Sequence, residues 1–293
     1  MRLARSLVLP LLLCALAGCG TDRAPAVSTP RQAPAAQEAP MEPDKDEQLA
    51  AALDAVTTTG EVRFAVAVLD PADGSTGVYG DEGPYDTASI VKVDILVALL
   101  LRAQDEGREL TGQERAHAHA MITSSDNAAA TALWAVIGGA EGLDAAHARL
   151  GLDATRAGTE GRWGLTQTTA ADQLVLLDAV FGQPEALTAA SQAYVRGLLD
   201  AVVEGQDWGV SAAGDDDDGD EGDGSGTGSG GCALKNGWLP RSATGLWDIN
   251  SIGRVTLDGR ELLIAVLSDG HTTKEAGVAL VERVARAAAR AVV

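Results

Sequence analysis

The feature that most constrains the fold is an apolar pattern that changes period twice along the chain. Val62 to Leu69 runs from alternating to continuous apolar, the signature of a strand. Asp70-Pro71-Ala72-Asp73-Gly74 is turn chemistry, and Thr76 to Tyr79 returns as a second strand. From Ser89 to about residue 205 the spacing becomes helical. Ser89 to Arg102 is one helix, Thr111-Gly112-Gln113-Glu114 caps a second, and Asp126 to Val136 is a third that Gly138-Gly139 should stop. Thr169-Ala170-Ala171-Asp172 caps a fourth and Leu187 to Val203 forms a fifth. Beyond Trp208 the strand period returns over 232–239, 247–257 and 261–268, with Asp258-Gly259 as a tight hairpin. Helices over 46–56 and 273–293 open and close the folded part. Strands at both ends with helices between predict an α+β sheet assembled from both termini around an inserted helical block.

The N-terminal segment reads as an export signal. Arg2 and Arg5 precede an apolar run, Leu7 to Leu16, that is too short to span a bilayer. Leu16-Ala17-Gly18-Cys19 then has the form of a bacterial lipobox, so residues 1–18 are expected to be removed and Cys19 lipidated. The alternative is an ordinary cleaved signal with an incidental cysteine. Residues 19–45, rich in Ala, Pro and Gln, read as a disordered tether, and 46–293 as the folded domain. The expected location is the outer face of the bacterial cell membrane, held by lipid.

A net charge of −20 argues against nucleic acid as a partner, because nucleic acid needs a basic footprint. After processing, Cys232 is the only cysteine besides the lipidated Cys19, so no intramolecular disulfide is available, and it reads as a small buried apolar residue. The acidic, Gly-rich stretch 213–231 lacks the spacing and terminal glutamate of a calcium loop and reads as a disordered surface insertion. His117 and His119 stand two apart on a predicted helix and point to different faces. No metal site and no cofactor are expected.

Chemistry concentrates in three short motifs, Ser89-Ile90-Val91-Lys92, Ser125-Asp126-Asn127 and Lys235-Asn236-Gly237. The chain has only four lysines, and two of them stand here. Ser89 begins an apolar helix, where unpaired N–H groups favour developing negative charge. Lys92 follows one turn later on the same face, and burial would lower its pKa toward that of a usable base. Taken singly, the first motif is a partly buried structural lysine, the second a helix N-cap and the third a turn. In this order and context they describe acyl transfer on an amide.

With those residues the chain resembles the penicillin-recognising serine hydrolases, most closely the class A β-lactamases, over most of 46–293. Val66-Ala67-Val68-Leu69-Asp70, Ile137-Gly138-Gly139, Thr155-Arg156 and Thr168-Thr169-Ala170-Ala171 are similar to further landmarks of that family. The resemblance implies a five-stranded antiparallel sheet flanked by helices, with an all-helical domain (about 89–205) inserted and the site between them. It implies Ser89 as nucleophile toward a β-lactam or D-Ala-D-Ala carbonyl, and Lys92 as its base. Ser125 would relay a proton to the leaving nitrogen, with Lys235 holding that hydroxyl and attracting a substrate carboxylate. Asn127, Asn236, Gly237 and Trp238 would bind substrate, the N–H groups of Ser89 and Trp238 forming an oxyanion hole.

Two departures narrow that expectation. Asn236 stands where the family usually has Thr or Ser. Glu160-Gly161-Arg162-Trp163-Gly164 stands where class A enzymes carry Glu-x-x-Leu-Asn, the loop that activates the deacylating water. Glu160 is the candidate for that task, against the better supported reading of an exposed loop carboxylate. Arg241 and Arg254 are weaker candidates for a substrate carboxylate. The expected function is thus a monomeric, exported serine hydrolase of the class A β-lactamase type, with slow turnover. The alternatives are a D-Ala-D-Ala carboxypeptidase and a degenerate wall-binding lipoprotein.

Overall fold

The computed structural model describes residues 45–56, 58, 61–80, 83–183, 186–215 and 231–293. The expected signal segment, Cys19, nearly all of the tether and the centre of the acidic insertion lie outside the described residues. Helix α1 (Lys45–Leu53) leads into strands β1 (Arg63–Asp70), β2 (Ser75–Gly80) and a short β3 (Tyr85–Asp86). A 3-10 turn (Ala88–Ile90) passes directly into α2 (Val91–Asp105), followed by α3 (Gly112–Thr123), α4 (Asn127–Ile137) and α5 (Gly139–Leu150). A second 3-10 turn (Trp163–Leu165) and strand β4 (Gln167–Thr168) precede α6 (Ala170–Phe181) and α7 (Ala189–Asp200). Strands β5 (Ala233–Pro240), β6 (Trp247–Leu257) and β7 (Arg260–His271) then lead to α8 (Lys274–Val292).

The sheet is antiparallel with order β2-β1-β7-β6-β5, so a strand from the start of the fold lies against one from its end. Ala65 faces Leu267 and Ala67 faces Ala265 across that junction. Both faces are covered, which explains why β1 and β7 are continuous apolar runs. Successive side chains point to opposite faces. Ala65, Ala67, Leu263, Ala265 and Leu267 join the core shared with α2 and α6. Val66, Val68, Leu262, Ile264 and Val266 join the core under α1 and α8. Each wholly buried aliphatic side chain contributes about 1.5–3 kcal/mol.

Helix α2 is the axis of the helical side. Ile95, Leu96, Val97 and Leu99 are each 0% exposed, as expected of a helix apolar on every side. The capping signals are realised. Thr111 and Glu114 form a reciprocal capping box, Asp126 accepts from Ala129 N, and Thr169 accepts from Asp172 N. The β6–β7 hairpin turns at Asp258 (φ 52°) and Gly259 (φ 74°), as its sequence predicts.

Gly138-Gly139 stops the third helix as its sequence predicts, Gly138 adopting φ 96° as the C-cap of α4, but a helix that the sequence reading did not include, α5, begins at the next residue. Glycine in the left-handed region redirects the chain at little cost, so the pair marks a corner between two helices. No helix among the described residues is long and apolar enough to cross a membrane.

Candidate active site

Ser89 sits in the 3-10 turn at the mouth of α2, half-buried and reached through a strained residue. Ala88 has φ 49°, a conformation that non-glycine residues seldom adopt. The turn is held from two sides. Thr87 N donates to Thr166 O at 2.9 Å, and β3 pairs with β4 just upstream. Asn250 Nδ2, from the middle of β6, donates to Asp86 O at 2.9 Å and Thr87 O at 3.1 Å, while its Oδ1 accepts from Ser268 N at 3.1 Å. Asn250 therefore ties the serine-bearing turn to the sheet. Sequence reasoning missed it, although an amide inside a two-faced apolar strand was the available signal.

Five motif residues converge. Lys92 Nζ lies 2.9 Å from Ser89 Oγ, 3.0 Å from Ser125 Oγ, 2.7 Å from Ser125 O and 2.8 Å from Asn127 Oδ1. Lys235 Nζ reaches the same Ser125 Oγ at 3.0 Å and donates to Asn236 O at 2.9 Å. Ser125 adopts φ 55° just before the cap of α4, a second strained position beside the reactive groups. Both lysines are buried. Loss of hydration lowers the Lys92 amine to about 8. Lys235 is lowered well below the usual range, first by burial and then by repulsion from Lys92. A neutral amine at Lys92 would accept the Ser89 proton across the 2.9 Å contact already present.

Gly237 explains how β5 comes so near. A Cβ there would lie 2.7 Å from Thr87 O and 2.9 Å from Ser89 N, so only glycine lets this strand press against the serine turn. Trp238 follows and, with Ala88, Ser89, Asn127, Trp163 and Leu239, lines a cleft of about 410 Å³.

Two expected site residues point elsewhere. Asn236 is corrected by the pleat of β5: its side chain falls on the same face as Cys232 and Leu234, opposite Lys235. There Nδ2 donates to Gln206 O at 2.8 Å and Trp208 O at 2.6 Å, and the residue is 0% exposed. Glu160 matches its reading as an exposed loop carboxylate and not the water-activating one: its side chain is 78% accessible and pairs with Arg162 at 2.8 Å. Gly161 and Gly164 flank a turn that instead brings Trp163 inward, its ring centroid 5.1 Å from Lys92 Nζ. A tryptophan in a loop carries no periodic signal, and its place here was not foreseen.

The other candidates are engaged. Arg241 pairs with Asp86 and, at 3.4 Å, with Asp248. Arg254 pairs with Glu261 at 3.0 Å and Asp200 at 3.5 Å. Burial pushes the Cys232 thiol up to about 12, which suits an inert apolar residue. No group of three metal-binding side chains occurs among the described residues.

A family model described as the Beta-lactamase enzyme family matches residues 113–292. The chain belongs to that family. Among solved structures similar to it is the TLA-1 extended-spectrum β-lactamase, with TM-score 0.70 and 17% identity over 85% of this chain and 99% of that one. Another is a point mutant of PBP-A as an acyl-enzyme complex with penicillin G, with TM-score 0.68 and 20% identity over 85% and 98%. At such identities the likeness is one of fold. In sequence, the chain is 34% identical over 161 residues to the mycobacterial proteins named LppW, a provisional lipoprotein designation, from Mycobacterium tuberculosis and Mycobacterium bovis. The match spans 53% of this chain and 51% of those relatives. This member of the Beta-lactamase enzyme family thus has a fold, a five-stranded antiparallel sheet flanked by helices, that matches class A β-lactamase neighbours.

Proposed function

We propose that the protein is a serine hydrolase that forms an acyl-enzyme with β-lactams and releases it slowly. One observation carries this reading: Ser89, Lys92, Ser125, Asn127 and Lys235 lie within one hydrogen-bonded cluster, each contact between 2.7 and 3.0 Å. Ser89 Oγ attacks the carbonyl carbon as its proton passes to Lys92 Nζ. The C–N bond then breaks, and the amide nitrogen takes a proton through Ser125, whose oxygen Lys235 holds. The N–H groups of Ser89 and Trp238 receive the oxyanion, an interaction in which one donor is worth about 3–4 kcal/mol. Water finally cleaves the Ser89 ester. That last step is slow because the loop carboxylate, Glu160, is turned to solvent.

The same features suit a second reading, acyl transfer on D-Ala-D-Ala termini, which the missing water base favours. Engagement of Asn236 Nδ2 by Gln206 O and Trp208 O, away from the cleft, supports a third, a binding protein without turnover. Cys19 within its lipobox, together with the lipoprotein designation of the LppW relatives, supports export and lipid anchoring at the outer face of the cell membrane. Labelling by a fluorescent penicillin, with nitrocefin turnover followed in parallel, separates the three. A persistent adduct that Ser89→Ala abolishes is the expected result. Absence of any adduct on folded protein favours the binder, and rapid nitrocefin turnover contradicts slow release.

A further inference from the structure

We infer that Trp163 is a positioning residue that keeps water away from the Ser89 ester and so sets the lifetime of the acyl-enzyme. The inference rests on the acylation reading above and concerns the step that follows it. An ammonium carries three N–H donors. Lys92 Nζ already has four acceptor oxygens within 3.0 Å, all from Ser89, Ser125 and Asn127. The indole of Trp163 covers the same nitrogen with its centroid 5.1 Å away. Lys92 is 0% exposed. No donor is therefore left to orient a water molecule, and the aromatic ring stands where one would approach.

The ring is fixed rather than merely nearby. Its Nε1 donates to Thr131 Oγ1 at 3.2 Å, which anchors it to α4, and it packs against the helical core. The turn that carries it is pinned by Thr166, whose hydroxyl donates to Trp163 O at 2.7 Å while Gly158 N donates to that hydroxyl at 3.1 Å. Gly158 has no room for a side chain, since a Cβ would lie 2.2 Å from Arg162 O. Glu160 projects from the outer side of the same turn toward Arg162. The segment therefore presents an apolar plate to the lysine and its one carboxylate to solvent. A site arranged in this way accepts an acyl group and then denies water the position from which to remove it.

The test compares wild type with Trp163→Ala and Trp163→Phe after acylation by penicillin G and removal of excess drug, following adduct decay by intact mass. Trp163→Ala should lose its adduct at least about tenfold faster, while Trp163→Phe keeps a lifetime near that of wild type. Cyanate carbamylation of Lys92, read by peptide mass, should rise in Trp163→Ala and not in Trp163→Phe. Thermal melting checks that each variant is folded, and Trp163→Leu replaces Trp163→Ala if the latter melts too low. Unchanged decay and unchanged carbamylation in a folded variant overturn the role of Trp163. Absence of an adduct on wild type overturns the acylation reading and this inference with it, and is distinguishable because the adduct is then missing rather than persistent.

Discussion

The two walls of the cleft are built to different standards. On one, two buried lysines share a serine hydroxyl, every contact is short, and two residues accept strained backbone to meet them. On the other, the turn around Trp163 supplies one aromatic ring and an exposed ion pair. Buried cations are costly unless each is hydrogen-bonded, so the first wall is a demanding arrangement with a clear chemical use. The second wall excludes rather than reacts. On the proposed reading, the contrast separates two burdens, forming an acyl-enzyme and hydrolysing it, and gives residues only to the first.

That comparison breaks most sharply at Lys92. Lys92→Met should lower the rate of penicillin acylation by about 10²–10⁴, the usual contribution of a positioned base, measured by stopped-flow quenching or adduct mass. An equal rate in a folded variant would move the base elsewhere. The pH profile sharpens the same point. Only the neutral amine accepts a proton, and its value is about 8 because burial disfavours the ammonium. Acylation should therefore climb about tenfold per pH unit up to that value and level off above it. A flat profile between pH 6 and 9 would contradict the assignment.

Smaller effects test the geometry. Gly237→Ala places a methyl 2.7 Å from Thr87 O, so the strand and the serine turn must separate. A loss of about 1–3 kcal/mol in unfolding stability and a slower acylation should appear together in denaturant melts and labelling rates. Stability lost with acylation intact would show that the close approach is structural only. Smallest of all, Glu160→Gln should leave adduct lifetime within about twofold, as befits an exposed carboxylate. A marked lengthening would restore that residue as the water base.

Much of this arrangement could be read in the residues because local rules and the global fold agree there. The capping signals at Thr111, Asp126 and Thr169, the Asp258-Gly259 hairpin and the strand periods at both ends appear in the structure within a few residues. The lysine at one helical turn from Ser89 follows from helix geometry. What escaped depended on tertiary context. Asn236 looked like a substrate contact from its place in the Lys235-Asn236-Gly237 motif, yet strict alternation with Cys232 and Leu234 already assigned it to the far face. Helix α5 was hidden because a left-handed glycine ends one helix and opens the next with the same two residues. Trp163 gains its place only from segments distant in the chain, so nothing in its own neighbourhood announces it, whereas Asn250 offered one local signal, an amide inside an apolar strand, whose partners only the folded chain supplies.

The most direct measurement is the fraction of protein carrying a covalent penicillin G adduct at steady state under saturating drug, read by intact mass and mapped to its peptide. The account predicts nearly complete modification, with the added mass on the peptide containing Ser89. Protein that stays unmodified while it consumes the drug, or an adduct mapped to any other residue, would contradict it.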